Sequence, residues 1–238
     1  MSSFTLAWRF LIFGVLPYVV IAVLILGSLA RFVLAPFSWK SQSSEILDKK
    51  DIFWGANLFH IGVIFLFCGH CFGLFTPTEW LHAAGLTPRL HQMMEIICGG
   101  LSAIVAITGL IILTWRRLTN ERVRAASRPS DFWVLFLLLA VIILGIGCVV
   151  NSYLYDKSGA TIILLGGWVR GLFSFDYQAW QNILLVPDWQ KGHIFVGLII
   201  FLIVPFTRLV HIWSGYLSVF YLIRPHQIMR ANNGKPMK

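Results

Sequence analysis

Apolar residues run along this chain in five long blocks, over about 6–33, 52–75, 90–115, 131–150 and 192–213, separated by polar and basic stretches. A helix needs roughly 20 apolar residues to cross about 30 Å of hydrocarbon, and each block is long enough. The pattern therefore predicts an all-α membrane protein with five transmembrane helices. The second block stops at Thr76-Pro77, where the proline ring cannot continue a helix. The third ends in Arg116-Arg117, and the fourth opens at Ser130 or Asp131, either of which can cap it. The first block has the look of a signal peptide, but its apolar run exceeds the roughly 7–15 residues of a signal core. Between the fourth and fifth blocks, residues 162–175 form a shorter apolar stretch containing Gly166, Gly167 and Arg170. It is short for a crossing and fits a helix lying at the interface.

Composition narrows the class. Hydrophobic residues are 58% of the 238 and charged residues only 12%, with mean hydropathy +0.77. Soluble domains carry about 25% charged residues, so a soluble enzyme is excluded, as is a disordered chain. The net charge of +9 would raise nucleic acid as a partner in a soluble protein; here its distribution points to topology. The connector 31–51 and the stretches after blocks three and five hold four, five and four basic residues. The opposite side holds Arg9, Arg89 and three residues of the long 151–191 connector, namely Lys157, Arg170 and Lys191. Basic loops stay in the cytoplasm, which places the start of the chain outside and a tail, 214–238, inside. The whole chain reads as a single transmembrane domain. The four cysteines, Cys68, Cys71, Cys98 and Cys148, all lie within apolar blocks and read as small packing residues.

Histidine is the exception to this apolar interior. His60 and His70 fall in block two, His193 and His211 in block five. Ionisable groups in hydrocarbon are costly and mark function. On straight helices His60 and His70 are about 15 Å apart, and His193 and His211 about 27 Å apart on one face. Blocks two and five run in opposite directions, so His60 can meet His211 near the inner surface and His70 can meet His193 nearer the outer one. Two cross-helix pairs at two depths suit two haems of b type, each with two imidazoles on its iron. Gly62, Gly69, Gly73 and Gly197 lie near these histidines and would leave room for the porphyrin edges. Single histidines of this kind also serve as packing residues, but two on each of two helices ask for more. Zinc without porphyrin wants four ligands gathered at one point, and these pairs lie several turns apart. Covalent haem needs C-x-x-C-H, whereas Cys68-Gly69-His70-Cys71 places the histidine between the cysteines.

Three histidines remain. His82 and His226 read as solvent-facing; so would His91, except that it stands where the outer loop enters block three, level with the outer pair. An imidazole there can hold a quinol oxygen and take its proton. Arg208, one turn before His211, reads either as a partner for a haem propionate or as a helix-end arginine reaching for water.

The run Asn57-Leu58-Phe59-His60-Ile61-Gly62, then Gly69-His70 and Leu74-Phe75-Thr76-Pro77, resembles the gamma subunit of respiratory nitrate reductase. So do Pro205 to Ser214, Arg116-Arg117-Leu118, Arg122-Val123-Arg124-Ala125, Pro17-Tyr18 and Gly27-Ser28 with Arg31. The resemblance covers nearly the whole chain. It implies a cytochrome b of the bacterial inner membrane with a periplasmic amino terminus and a cytoplasmic carboxyl terminus. It also implies an inner haem at His60 and His211 and an outer haem at His70 and His193. Quinol would be oxidised by the outer haem, with Gly69, His70, His91 and Arg89 as candidate contacts. Electrons would pass to an iron–sulfur beta subunit and a molybdenum alpha subunit docked on the cytoplasmic loops and tail. Other readings are a non-redox membrane anchor, the cytochrome b of a different quinone-linked reductase, and a transporter. The last needs discontinuous helices, and Pro205, in the fifth block, is expected as a simple kink; Glu95 is the acidic residue to watch inside a block.

Overall fold

The computed structural model describes residues 3–35, 38 and 52–213. The basic residues Lys40, Lys49 and Lys50, the tail 214–238 and His226 lie outside the described residues. Five helices are long and apolar enough to cross a membrane: α1 (Phe4–Leu34), α2 (Ile52–Phe75), α3 (Pro88–Thr119), α4 (Pro129–Tyr155) and a fifth span, Asp188–Phe206. A shorter helix, α5 (Ala160–Phe173), precedes the last span, whose regular part is α6 (Asp188–Ile203). Among the described residues there are no strands. Most of each span's surface is apolar and exposed, which in a membrane protein is the lipid-facing surface.

Helices α2 and α3 make the closest contact, because small residues let their backbones meet. A Cβ on Gly62 would lie 2.5 Å from the Ala106 backbone nitrogen, and one on Gly109 would overlap the Phe59 nitrogen and the Gly55 carbonyl. Gly62 is therefore a helix-contact residue turned toward α3, and not one that leaves room beside His60. By contrast, nothing lies within 4 Å of a Cβ placed on Gly69 or Gly197.

A second core joins α1 to the region around α5. Phe13, Trp168, Leu172, Ala179, Ile183 and Val186 pack together. A π-helical turn, Leu11–Val15, interrupts α1 here, and the Phe13 carbonyl accepts a hydrogen bond from Trp168 Nε1 at 2.9 Å. Tyr18 Oη donates to the Leu172 carbonyl at 3.1 Å. The expectation of a partly helical 151–191 connector is met, with α5 wedged against α2 and the 3-10 helix Ala179–Leu185.

Two details differ from the sequence reading. The N-cap of α4 is Arg128; Asp131 is the third helical residue, and its Oδ2 reaches back to accept from the Arg128 backbone N–H at 2.9 Å. The last span is more than kinked at Pro205. Its α-helix stops at Ile203 and gives way to two 3-10 turns, Val204–Phe206 and Arg208–Val210, with Thr207 extended between them. The straight-helix separation of His193 and His211 thus does not hold, since the chain turns before His211.

Candidate functional site

All four membrane histidines are held by the same device. His60 Nδ1 lies 2.7 Å from the Ala56 carbonyl and His70 Nδ1 2.7 Å from that of Leu66, each four residues back on α2. His193 Nδ1 lies 2.9 Å from the Val141 carbonyl of α4, and His211 Nδ1 2.7 Å from that of Arg208. A carbonyl only accepts, so each Nδ1 carries the proton and each Nε2 is the basic nitrogen. Ligand histidines are oriented in this way, their second ring nitrogen donating to a carbonyl.

The rings meet in the pairs expected. His60 and His211 have centroids 6.2 Å apart, at 72°. His70 and His193 have centroids 6.0 Å apart and are nearly parallel, at 22°. Two imidazoles bound to one iron from opposite sides, through bonds of about 2 Å each, hold their centroids about 6 Å apart. The residues therefore fit two bis-imidazole haems. Among the described residues no group of three or more His, Cys, Asp or Glu gathers as a metal cluster.

Sequence reasoning missed what positions His193. Gly145 on α4 allows its ring to lie close, since a Cβ there would sit 3.1 Å from His193 Cε1. Gly147 does the same for Trp189, one turn before His193. A glycine in an apolar helix was the available signal.

Arg208 has a definite partner. Its Nε is 2.9 Å from Asp131 Oδ1, while Arg117 Nη1 is 3.1 Å from Oδ2 of the same carboxylate. The two cations and the buried Asp131 tie the ends of α3 and of the last span to the start of α4. Arg208 is thus engaged in an ion pair and is not simply reaching for water.

At the other end, His91 is buried, against the solvent-facing reading, and its Nε2 would lie 3.4 Å from a Cβ on Gly73. A small recess opens there, lined by Gly73, Thr76, Thr78, His82, His91 and Arg170 among others. Arg170 shapes it by donating to the Leu74 and Thr76 carbonyls at 3.2 and 3.0 Å and to Thr78 Oγ1 at 3.2 Å. These are the carbonyls that the end of α2 leaves over. Arg89 is not brought into the recess: its Nη1 donates to Gln92 Oε1 at 2.6 Å and to the Asp156 carbonyl at 3.2 Å, joining α3 to α4. Gly69 and His70 lie on α2 a turn before Gly73.

A family model of the nitrate reductase gamma subunit matches residues 9–232. The chain belongs to that family. Among gamma-chain relatives, the respiratory nitrate reductase 2 gamma chain of Escherichia coli (strain K12) is 36% identical over 219 residues, covering 92% of this chain and 95% of the relative. The nitrate reductase gamma chain of Bacillus subtilis (strain 168) is 35% identical over 224 residues, covering 94% and 98%. As a gamma subunit with five long apolar helices, the chain is a multi-pass membrane protein.

Proposed function

We propose that this chain is the dihaem cytochrome b of a respiratory nitrate reductase, oxidising quinol near the periplasmic face and delivering electrons to cytoplasmic partners. The observation that carries this reading is the set of four imidazoles. All are fixed in the tautomer that presents Nε2, and they meet in two pairs with centroids 6.0 and 6.2 Å apart. His60 and His211 would hold the inner haem, and His70 and His193 the outer one. Bound there, haem supplies a one-electron carrier at each of two depths, the chemistry needed to join a quinol on one face to an acceptor on the other.

The protein's own residues supply the rest. Gly69 leaves open space beside His70, and His91 offers an imidazole to a quinol hydroxyl, whose proton it takes and releases outward. Arg170 and Arg89 hold the walls of this site. The basic inner surface, Arg116 to Arg128 with the tail 214–238, is the docking face for an iron–sulfur beta subunit and a molybdenum alpha subunit. Residues 1–238 form one membrane domain on this reading, with the amino terminus periplasmic and the carboxyl terminus cytoplasmic. The charge distribution supports that orientation.

The test is a reduced-minus-oxidised spectrum of the purified complex. Two b-type signals are expected, with His70→Ala removing one of them together with quinol oxidation. A fully assembled complex that kept its quinol:nitrate activity after all four histidines were replaced would instead be served by a non-redox anchor.

A further inference from the structure

The break in the last span creates a problem that α1 solves. Where a helix stops inside a membrane, its leftover carbonyls need donors from elsewhere in the protein. Thr207 is extended, with φ −119° and ψ −178°, between two 3-10 turns. Arg31 Nη1 donates to the Pro205 and Thr207 carbonyls, at 2.7 Å each. The same guanidinium is anchored on its far side, through Nε to Ser38 Oγ at 3.0 Å and Nη2 to the Ser38 carbonyl at 2.9 Å. One turn earlier on α1, a Cβ on Gly27 would lie 3.0 Å from Pro205 Cβ, so the helix itself rests against the break.

The inner histidine comes directly after the break. Thr207 Oγ1 accepts from the Leu209 N–H at 3.3 Å and starts the turn Arg208–Val210. The Arg208 carbonyl of that turn accepts from His211 Nδ1. The orientation of the His211 ring is therefore set by a short turn that starts from the Thr207 carbonyl gripped by Arg31. His70 sits on an unbroken α2, and His193 lies ahead of the break; neither depends on this grip.

We infer that Arg31 is a positioning residue for His211, a clamp from the first span that aims the imidazole of the inner haem and leaves the outer one untouched. The inference rests on the reading of His60 and His211 as an axial pair. A lysine keeps the charge but not the planar fork that spans two carbonyls and Ser38 at once.

The experiment measures release of each haem from the detergent-purified complex to apomyoglobin, alongside its low-spin resonance signal. In R31Q the inner haem is expected to leave at least about tenfold faster, the lower range for loss of a ligand's supporting contacts, with its signal shifted. The outer haem should keep both rate and signal, and R31K should fall between. If R31Q fails to accumulate, R31K decides on the same two rates. Inner and outer haems left unchanged, or loosened equally, would overturn the inference. Failure of the underlying assignment looks different: H211A and H60A would each retain both haems, whatever Arg31 does.

Discussion

An imidazole whose Nδ1 proton is committed to a carbonyl has its Nε2 lone pair to offer, and four of them sit in this membrane domain. The hydrocarbon makes that arrangement costly unless something accepts the lone pairs. His193 is the most dependent on its surroundings, because its carbonyl partner, Val141, belongs to another helix. Gly145→Val should push the His193 ring off that carbonyl, with loss of the outer b-type signal while the inner one is kept; difference spectra of variant and parent check it. At the end of the bundle that carries His211, the Asp131 carboxylate bridges Arg117 and Arg208. Asp131→Asn would leave two partly exposed cations facing each other; removing one partner of a fully buried group costs about 3–5 kcal/mol. The value here should fall near the lower end, about 3 kcal/mol, since both arginines are about one-fifth exposed. Thermal unfolding of the purified subunit complex gives the number. That Arg208 matters was legible from its place one turn before His211. That it pairs with Asp131 was not, because the two lie in different blocks and no local pattern links them.

Contact between neighbouring helices is where glycine acts. Gly109 lies against the backbone of α2, so Gly109→Leu must separate α2 from α3 and should cost about 3 kcal/mol, the upper part of the overpacking range. Gly99→Ala meets nothing within 4 Å and should change stability by less than about 0.5 kcal/mol; denaturation midpoints of the pair give the contrast. The corner between α4 and α5 depends on a carboxylate. Burial alone would raise the Asp156 pKa, but hydrogen bonds from the Thr161 N–H and hydroxyl, from Ser158 and from the Gly159 N–H outweigh it and hold the group well below the usual carboxylate range. A lowered pKa stabilises the folded corner above the unfolded value, about 3.9, and that contribution is lost as pH falls below it. The protection factors of the Ser158, Gly159 and Thr161 amides, corrected for intrinsic exchange, should therefore stay constant from pH 7 to 5 and fall below about pH 4, and Asp156→Asn should remove the step. Gly159 at φ +76° completes the corner, its Cα facing the Pro88 carbonyl where a Cβ would lie 2.5 Å away. The five spans were readable because hydropathy sums over each block. The π-turn of α1 and the two 3-10 turns after α6 were not, since they answer to Trp168 and Arg31 on distant segments.

Across the molecule, charge and aromatic placement agree on two ends. Exposed Trp54, Trp115 and Trp133 mark the end that carries the arginine-rich connector, while Trp80 and Tyr155 mark the other, as interfacial aromatics do. Single cysteines placed at Arg122 and at Lys157 in a background lacking the native four should be labelled from opposite faces by an impermeant maleimide, Lys157 from outside intact cells. Labelling of both from one face would reverse or break the proposed topology.

From the linear order of residues alone came the number of spans, their expected direction, and the pairing of His60 with His211 and His70 with His193. These follow because hydrophobic transfer is additive along a helix and depth in a membrane is set by position in the span. Folding in three dimensions decided the rest: which carbonyl orients each imidazole, that Gly62 serves α3, that Arg89 braces a wall, and that Arg31 closes the break before His211. The reason is that a hydrogen bond is short and directional. A guanidinium can satisfy a carbonyl 174 positions away, and nothing in the intervening residues records where that carbonyl will be.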